Sequence, residues 1–214
     1  MLALLPRLAG LVVALTLAAP ALAQAPAGGA APPTRIRGAV ADLVGDKLTV
    51  AARDGSKVEI ALIADTRITG VVKLKLADIK PGDFVAVGGT RTAGGVVRAL
   101  QINVTPGAGS RAAETGFQGP WAPATNGVMT NANVAAIEGA AGAAEGQTLK
   151  LTYKDGAAEI VVPPEAFIAT FVAADRSLLK PGADVSVGIR RTADGKFEAT
   201  LVQAEKDGQK LPPL

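Results

Sequence analysis

The sequence predicts an all-β protein built from two tandem homologous units of five strands each. Apolar and polar residues alternate at every second position over much of the chain, which is the period of a strand with one buried face. Asp-Gly and Gly-Gly turns separate these runs, as they do in β-hairpins. The same turn sequences also recur about 100 residues apart. A period this long indicates two domains and not a solenoid repeat.

Residues 1–23 predict a secretory signal peptide. They combine a basic start, an apolar run over residues 8–20 and the small-x-small site Ala21-Leu22-Ala23 before Gln24. The apolar run is shorter than the roughly 20 residues that span a bilayer, so we expect cleavage near Ala23/Gln24 and not a membrane anchor. The mature chain is then expected to be periplasmic or secreted, without a transmembrane segment. Residues 24–34 are almost all Ala, Pro or Gly and predict a flexible spacer.

Residues 35–104 form the first predicted unit. An opening strand over Ile36–Val44 precedes a hairpin that turns at Asp54-Gly55, and a second hairpin ends the unit. Between the hairpins, Leu76-Ala77-Asp78-Ile79 and the following Lys-Pro-Gly predict one helical turn, since Pro cannot continue a helix and Gly permits the reversal.

Residues 128–205 repeat this order, and residues 206–214 form a C-terminal tail. Arg53-Asp54-Gly55 recurs as Lys154-Asp155-Gly156, and Lys80-Pro81-Gly82 recurs as Lys180-Pro181-Gly182. Five strands with a short helical element between the third and fourth are typical of a small OB-like barrel. Tandem β-sandwiches are the alternative, which the pattern alone does not separate.

The inter-domain loop, residues 105–127, holds the one tryptophan of the chain. Loops of this length are often functional or packed onto a domain. We expect Trp121 to plug the contact between the two domains, and stacking of Trp121 and Phe117 against a ligand is the alternative. Clefts between domains are favoured binding sites, so a ligand is expected there if the protein binds one.

Most of the mature chain resembles a family of uncharacterised exported β-rich proteins of Gram-negative bacteria. The residues that carry the resemblance include Gly38-x-Val40, Gly119-Pro120-Trp121, Met129-Thr130-Asn131-Ala132-Asn133-Val134 and Val162-Pro163-Pro164. Members are sometimes labelled metal-transporter permeases, but a permease needs membrane-spanning helices and the sequence after the leader predicts none. The resemblance implies the β-rich fold and supplies no catalytic or binding residues.

Composition excludes several kinds of chemistry. The chain has no His and no Cys, which removes imidazole catalysis, thiolate nucleophiles, disulfides and the usual transition-metal ligands. Ser177-Leu178-Leu179-Lys180 matches the S-x-x-K motif of penicillin-recognising enzymes, but Pro181 follows at once and no K-T-G exists. We therefore expect a non-enzymatic protein without a cofactor or metal, with a serine hydrolase using Ser177 and Lys180 as the unlikely alternative.

The charge pattern favours an envelope partner over nucleic acid. Net charge is only +3 and aromatic residues make up 3% of the chain, whereas single-strand binders combine a basic groove with stacking aromatics. A basic cluster of Arg67, Lys73, Lys75 and Lys80 predicts a solvated face or, more sharply, contact with anionic envelope polymers or lipid head groups. The sequence thus predicts an exported structural or binding module of the cell envelope, whose partner is an envelope polymer, an envelope protein, a small ligand or a cation.

Overall fold

Twelve strands account for most of the residues that the structure describes, and hydrogen bonds join these strands into one continuous sheet. The computed structural model describes residues 34–139 and 146–212, so the predicted signal peptide and nearly all of the predicted spacer lie outside the described residues. The strands are β1 (Thr34–Val44), β2 (Lys47–Ala52), β3 (Lys57–Lys73), β4 (Phe84–Arg91), β5 (Val97–Thr105), β6 (Phe117–Pro120), β7 (Gly127–Glu138), β8 (Gln147–Tyr153), β9 (Gly156–Val162), β10 (Phe167–Ala173), β11 (Asp184–Arg191) and β12 (Phe197–Ala204). The helix α1 (Ala112–Thr115) and short 3-10 turns at Leu76–Asp78, Gly109–Arg111 and Arg176–Leu178 complete the elements.

The predicted all-β class is confirmed, and the strand pairing closes on itself. Strands β1, β2, β3, β12 and β11 pair in that order and β11 returns to β1, which defines the first ring. Strands β7, β8, β9, β5 and β4 pair in the same order and β4 returns to β7, which defines the second ring. All pairings within each ring are antiparallel except the one between the third and fourth strands in these orders, β3 with β12 and β9 with β5. Closed pairing of this kind removes the exposed edges of an open sheet.

Each ring takes strands from both halves of the chain, which corrects the predicted architecture. The sequence predicts that residues 35–104 and 128–205 each close into a barrel of their own. Instead, the hairpin β4–β5 of the first half completes the ring that β7, β8 and β9 begin, and the hairpin β11–β12 completes the ring of β1, β2 and β3. A hairpin's alternating pattern specifies which face is buried but not which neighbouring strand it pairs with. The local sequence pattern therefore does not reveal that the two halves exchange hairpins.

Two crossing strands carry the chain from one ring to the other. Strand β3 runs on beyond the first ring, and its last residues pair with β10 in antiparallel register. Val71 lies opposite Phe171, the residue that lies 100 positions later, so this register is symmetric about that pair. Two positions to either side of this central pair, Thr69 lies opposite Ala173 and Lys73 lies opposite Ala169. We call this place, where β3 and β10 pair, the seam.

Corresponding turns of the two halves adopt the same backbone conformation. Gly82 and Gly182 have φ angles of 90° and 87°, in the left-handed region that glycine tolerates, and each follows a Lys-Pro pair. A 3-10 turn precedes both, at Leu76–Asp78 and Arg176–Leu178, as the sequence predicts for a single helical turn. After this reversal the chain enters β4 of the second ring and β11 of the first ring.

Three hydrophobic clusters hold this arrangement together. Each ring encloses its own cluster, with Leu48 and Leu149 at equivalent places in the first and second ring and both fully buried. The third cluster lies at the seam, where Val71, Ala169 and Leu211 are buried beside two partly buried phenylalanines. Since Leu211 belongs to the C-terminal tail, the described part of the tail, residues 206–212, contributes to the packed structure.

Polar contacts fasten the tail beside the seam. The backbone N–H of Leu211 donates to Asp184 Oδ2 over 3.1 Å, and the Lys210 ammonium pairs with the Glu205 carboxylate. Glu205 also accepts the backbone N–H of Asp184 at 2.8 Å. The hydrogen bond from Lys210 is the largest cause of a lowered pKa at the Glu205 carboxyl, and the bond from the N–H of Asp184 is the second.

Acidification is expected to weaken the fastening of the tail. Because the folded state lowers the pKa of Glu205, its contribution to stability is complete above the unfolded value of about 4.3 and is lost as the pH falls through the lower folded value. Unfolding of the wild type and of Glu205→Gln, compared by thermal melts between pH 7 and pH 3, measures this. The wild type should be the more stable at pH 7, and the difference should shrink below about pH 4.5. A difference that stays constant with pH would contradict the expectation.

Candidate ligand-binding cleft

A tight loop after β6 positions the indole of Trp121. The backbone N–H of Trp121 donates to Gly127 O over 2.9 Å, and the N–H of Gly127 donates to Ala124 O over 2.9 Å, so residues 121–127 fold back on themselves. Asn126 turns the chain with a positive φ of 52°, a conformation that asparagine adopts more readily than most residues. The loop is also tied to the second ring, because the N–H of Arg91 donates to Asn126 O at 3.0 Å.

The indole packs on the backbone of β4 at a glycine. A Cβ atom built at Gly88 would lie 2.6 Å from Cη2 of Trp121 and 2.7 Å from its Cζ2. Only a residue without a side chain permits this close approach of ring and backbone. Trp121 is half-buried: part of the ring covers Gly88, and the ring also lines the cleft described next.

A cleft of about 410 Å³ opens beside Trp121, and both halves of the chain contribute to it. Ala169 and Phe171 of the crossing strand β10 line it at the seam. Strands of the two rings, the loop and the tail supply the rest of the lining: Arg35, Arg37, Ala86, Gln101, Ile102, Asn103, Trp121, Pro123, Met129, Ser186, Gln203, Leu211 and Pro212. We call this space the central cleft. Its volume falls within the range that small-molecule sites in proteins occupy.

Two amide oxygens in or beside the central cleft lack hydrogen-bond donors. Gln101 Oε1 is buried, and Gln101 lines the cleft; Asn131 Oδ1 is buried too, two residues along β7 from Met129 and on the same face of that strand. A buried acceptor without a donor costs about 1–3 kcal/mol.

The charge of the central cleft is entirely positive. Arg35 and Arg37 stand at alternate positions of β1, and no acidic side chain is among the described residues that line the cleft. Arg35 donates to Gln203 Oε1 at 2.7 Å, and Arg37 donates to the carbonyl of Pro212 in the tail. Both guanidiniums carry five N–H donors, so these contacts leave donors for a further acceptor.

The structure brings together only part of the predicted site. Trp121 lies in the central cleft, whereas Phe117 does not line it and is 46% exposed on β6. The predicted basic residues are all exposed, and Arg67 and Lys73 lie six residues apart on β3, a separation of about 20 Å in an extended strand. They do not converge on the central cleft, which uses Arg35 and Arg37 instead.

The S-x-x-K motif lies in an exposed turn. Ser177 belongs to a 3-10 turn of three residues, and its backbone N–H donates to Asp175 Oδ1 at 2.7 Å. The pKa of the Asp175 carboxyl is lowered, chiefly by a hydrogen bond from the Ser177 side chain and then by this backbone contact. Lys180 is exposed in the reversal that follows, where its carbonyl accepts the N–H of Ala183. Neither Ser177 nor Lys180 is among the residues that line the central cleft.

Comparison with known proteins gives one match. Residues 37–103, from β1 into β5, match a family model described as a domain of unknown function, DUF5666. No curated protein and no solved structure matches the chain. The matched stretch contains three strands of the first ring and two of the second, so the region that resembles this family contributes to both rings. In residues 34–139 and 146–212, no helix combines the length and the apolarity that crossing a membrane requires.

Proposed function

We propose that this protein is an exported, non-enzymatic binding module that holds a hydroxyl-rich molecule, such as an oligosaccharide segment of an envelope polymer, in its central cleft. The leader supports export, and the shared order of pairing in the two rings supports the inference that both are OB-like barrels with exchanged hairpins. OB-like barrels bind oligosaccharides in other proteins, so the fold class supports this ligand by analogy.

One observation carries the proposal. Trp121 presents an aromatic ring in a cleft that amide side chains, Gln101 and Asn103 among them, also line. A sugar ring has apolar C–H faces that pack on an indole and hydroxyls that donate to an amide, so it fits both features. The remaining lining, Arg35, Ser186 and Gln203, adds further groups that hydrogen-bond hydroxyls.

Fluorescence of the single tryptophan tests the proposal directly. We expect soluble oligosaccharides, titrated as a panel of neutral and acidic trimers, to shift the emission of Trp121 and to raise the melting temperature. Trp121→Ala, followed by calorimetry because the fluorophore is lost, should weaken binding of the same trimer by about 30-fold, as expected for a residue that contributes about 2 kcal/mol.

Phe117→Ala is the matched control. It removes a half-exposed aromatic residue of the same region that does not line the central cleft, so affinity should stay within about twofold of wild type. Equal affinity of Trp121→Ala and wild type, or no binding by any trimer, would refute the proposal. Trp121 would then serve only to pack against β4, and its replacement would lower only the stability.

A further inference from the structure

We infer that the open edge of β1 in the first ring is a docking site for the segment Gln24–Pro26 of the chain itself. The segment would add a short antiparallel strand at Arg35, as β6 adds a strand to β7 in the second ring. The inference goes beyond the proposed function and does not rest on it, because it concerns the backbone edge of β1 and not a ligand in the central cleft.

Strand β1 is paired on one side only over its first four residues. Thr34–Arg37 pair with β11, whereas the pairing with β2 begins at Gly38. One further hydrogen bond on the β2 side runs from the N–H of Arg53 to Arg37 O at 3.0 Å. Because successive residues of a strand direct their backbone groups to alternate sides, the N–H and the carbonyl of Arg35 also face this edge. No strand within residues 34–139 and 146–212 covers them there.

The second ring shows what covers the equivalent edge. Strand β7 corresponds to β1, since the register with the next strand shifts after Val40 in β1 and after Val134 in β7, 94 residues later. On the side where β1 is open, β7 pairs with β6, and Gly119 lies opposite Met129. Met129 is the counterpart of Arg35 at the same separation of 94 residues.

The same separation brings a matching sequence to the first ring. Gln24-Ala25-Pro26 lies 94 residues before Gln118-Gly119-Pro120, which belongs to β6. Gln and Pro recur at the same places, and the residue between them is small in both. Ala25 would therefore lie opposite Arg35 and exchange two backbone hydrogen bonds with it, as a hydrogen-bonded pair of antiparallel strands does.

The chain is long enough to bring the segment to this edge. Six residues, 121–126, lead from β6 to β7 in the second ring. Residues 27–33 would lead from the docked segment to β1, and a tether this short keeps the segment at a high effective concentration near the edge. Removal of the leader at the expected site makes Gln24 the first residue, so the added strand would begin at the new N terminus.

A cleft of about 420 Å³ lies where the segment would dock. Residues 35–37 of β1 line one side of it, and residues around the turn of the β2–β3 hairpin line the other. In the second ring, the chain that leads into β6 packs against the equivalent place at the end of β8, where a Cβ atom built at Gly116 would lie 2.7 Å from Cβ of Tyr153. The first ring therefore offers a space of the kind that a strand fills in the second.

Hydrogen exchange of single amides, followed by NMR, tests the docking on the chain that begins at Gln24. The amide of Arg35 should exchange at least about tenfold more slowly there than in a chain that begins at Gly28, because only the longer chain can cover the edge. The amide of Ile36 is the internal reference. It faces β11, where Ile36 lies opposite Val187, and should exchange at the same rate in both chains.

Two proline substitutions form a matched pair. Ala25→Pro removes the N–H that would donate to Arg35 O, so exchange of the Arg35 amide should rise to the rate of the shorter chain. Ala31→Pro is the control, because its counterpart in the second ring is Thr125, whose N–H makes no hydrogen bond within the described residues. The Arg35 amide should keep its protection in Ala31→Pro.

The α protons of Pro26 and Thr34 provide a second readout. These residues would face each other as a non-hydrogen-bonded pair, whose Cα atoms lie about 4.5 Å apart, so we expect a nuclear Overhauser contact between them. Equal exchange of the Arg35 amide in the long chain, the short chain and Ala25→Pro, without this contact, would overturn the inference.

A second copy of the chain is the other occupant that the experiment detects. Protection of Arg35 that rises with protein concentration and persists in the chain from Gly28 would mean that the edge pairs between molecules, and it would overturn docking of Gln24–Pro26. Binding of the trimers is measured separately and decides only the proposed function.

Discussion

Leu48→Ala is expected to lower the free energy of unfolding by about 3–5 kcal/mol and to weaken both rings together. Leu48 is fully buried inside the first ring, and Leu149 holds the equivalent place in the second. Removal of a buried leucine side chain loses its transfer free energy and leaves a cavity that the surrounding strands fill only partly. Leu149→Ala is expected to have an effect of the same size.

The exchange of hairpins is the reason that the damage should spread. The first ring cannot close without β11 and β12, and the second cannot close without β4 and β5. Those hairpins follow the crossing strands β10 and β3, which pair with each other at the seam. A ring that opens therefore releases strands that continue directly into the structure of the other ring.

Urea unfolding followed by two probes measures this coupling. Far-UV circular dichroism reports on all strands, whereas Trp121 fluorescence reports on its contact with β4 in the second ring. We expect both probes to give one coincident transition in the wild type and in Leu48→Ala, which lies in the other ring from the tryptophan. Leu100→Ala is the control, because Leu100 is 38% exposed and its loss should cost well under 2 kcal/mol.

Two separate transitions would show that the rings unfold independently. In that case Leu48→Ala would shift the circular dichroism signal and leave the tryptophan transition at the wild-type urea concentration. Hydrogen exchange adds a local measurement. If the rings are coupled, the Leu48→Ala variant should lose amide protection in β8 of the second ring, although the substitution lies in β2 of the first ring.

The sequence was informative about strands because period and turn chemistry act locally. Asp54-Gly55 turns a hairpin as expected: Gly55 has a φ of 86° and Asp54 accepts hydrogen bonds from Ser56. In the second strand of this hairpin the alternation is clear only to Leu62, whereas β3 continues to Lys73. That continuation is held by partners far along the chain, β12 and β10, which no local pattern reveals.

The site was partly predictable for a similar reason. Trp121 stood out because it is the one large amphipathic side chain in a long loop. Arg35 and Arg37 occupy alternate positions of a strand, a pattern also typical of a solvated face. Only the pairing of β1 with β11, which sets Arg37 opposite Ser186, places these arginines beside the cleft.

Gly88→Ala is expected to displace the indole of Trp121 and to weaken ligand binding at least tenfold without altering any residue that lines the central cleft. The new methyl group would lie within 2.9 Å of three ring carbons, closer than packed atoms approach, so the ring must move. Because the same ring lines the cleft, its displacement changes the surface on which a sugar would stack. Overpacking of this kind costs about 1–3 kcal/mol of stability.

Gly188→Ala is the matched control at the equivalent position of β11. A Cβ atom there would meet Thr200 Oγ1 at 3.3 Å and its next neighbours only at 3.8 Å or more, so the methyl group is nearly accommodated. Emission of Trp121 and affinity for the trimers should then remain at wild-type values. Equal behaviour of Gly88→Ala and Gly188→Ala would contradict the packing of the indole on β4.

A double-mutant cycle completes the test of this contact. If the cost of Gly88→Ala arises from the collision with the indole, the substitution should cost much less in a Trp121→Ala background, where the ring is absent. We expect a coupling free energy of at least 1 kcal/mol between the two sites by urea unfolding, within the range found for residues in direct contact. The same cycle with Gly188→Ala in place of Gly88→Ala should give additive effects, because no Trp121 atom is among the nearest neighbours of a Cβ at Gly188.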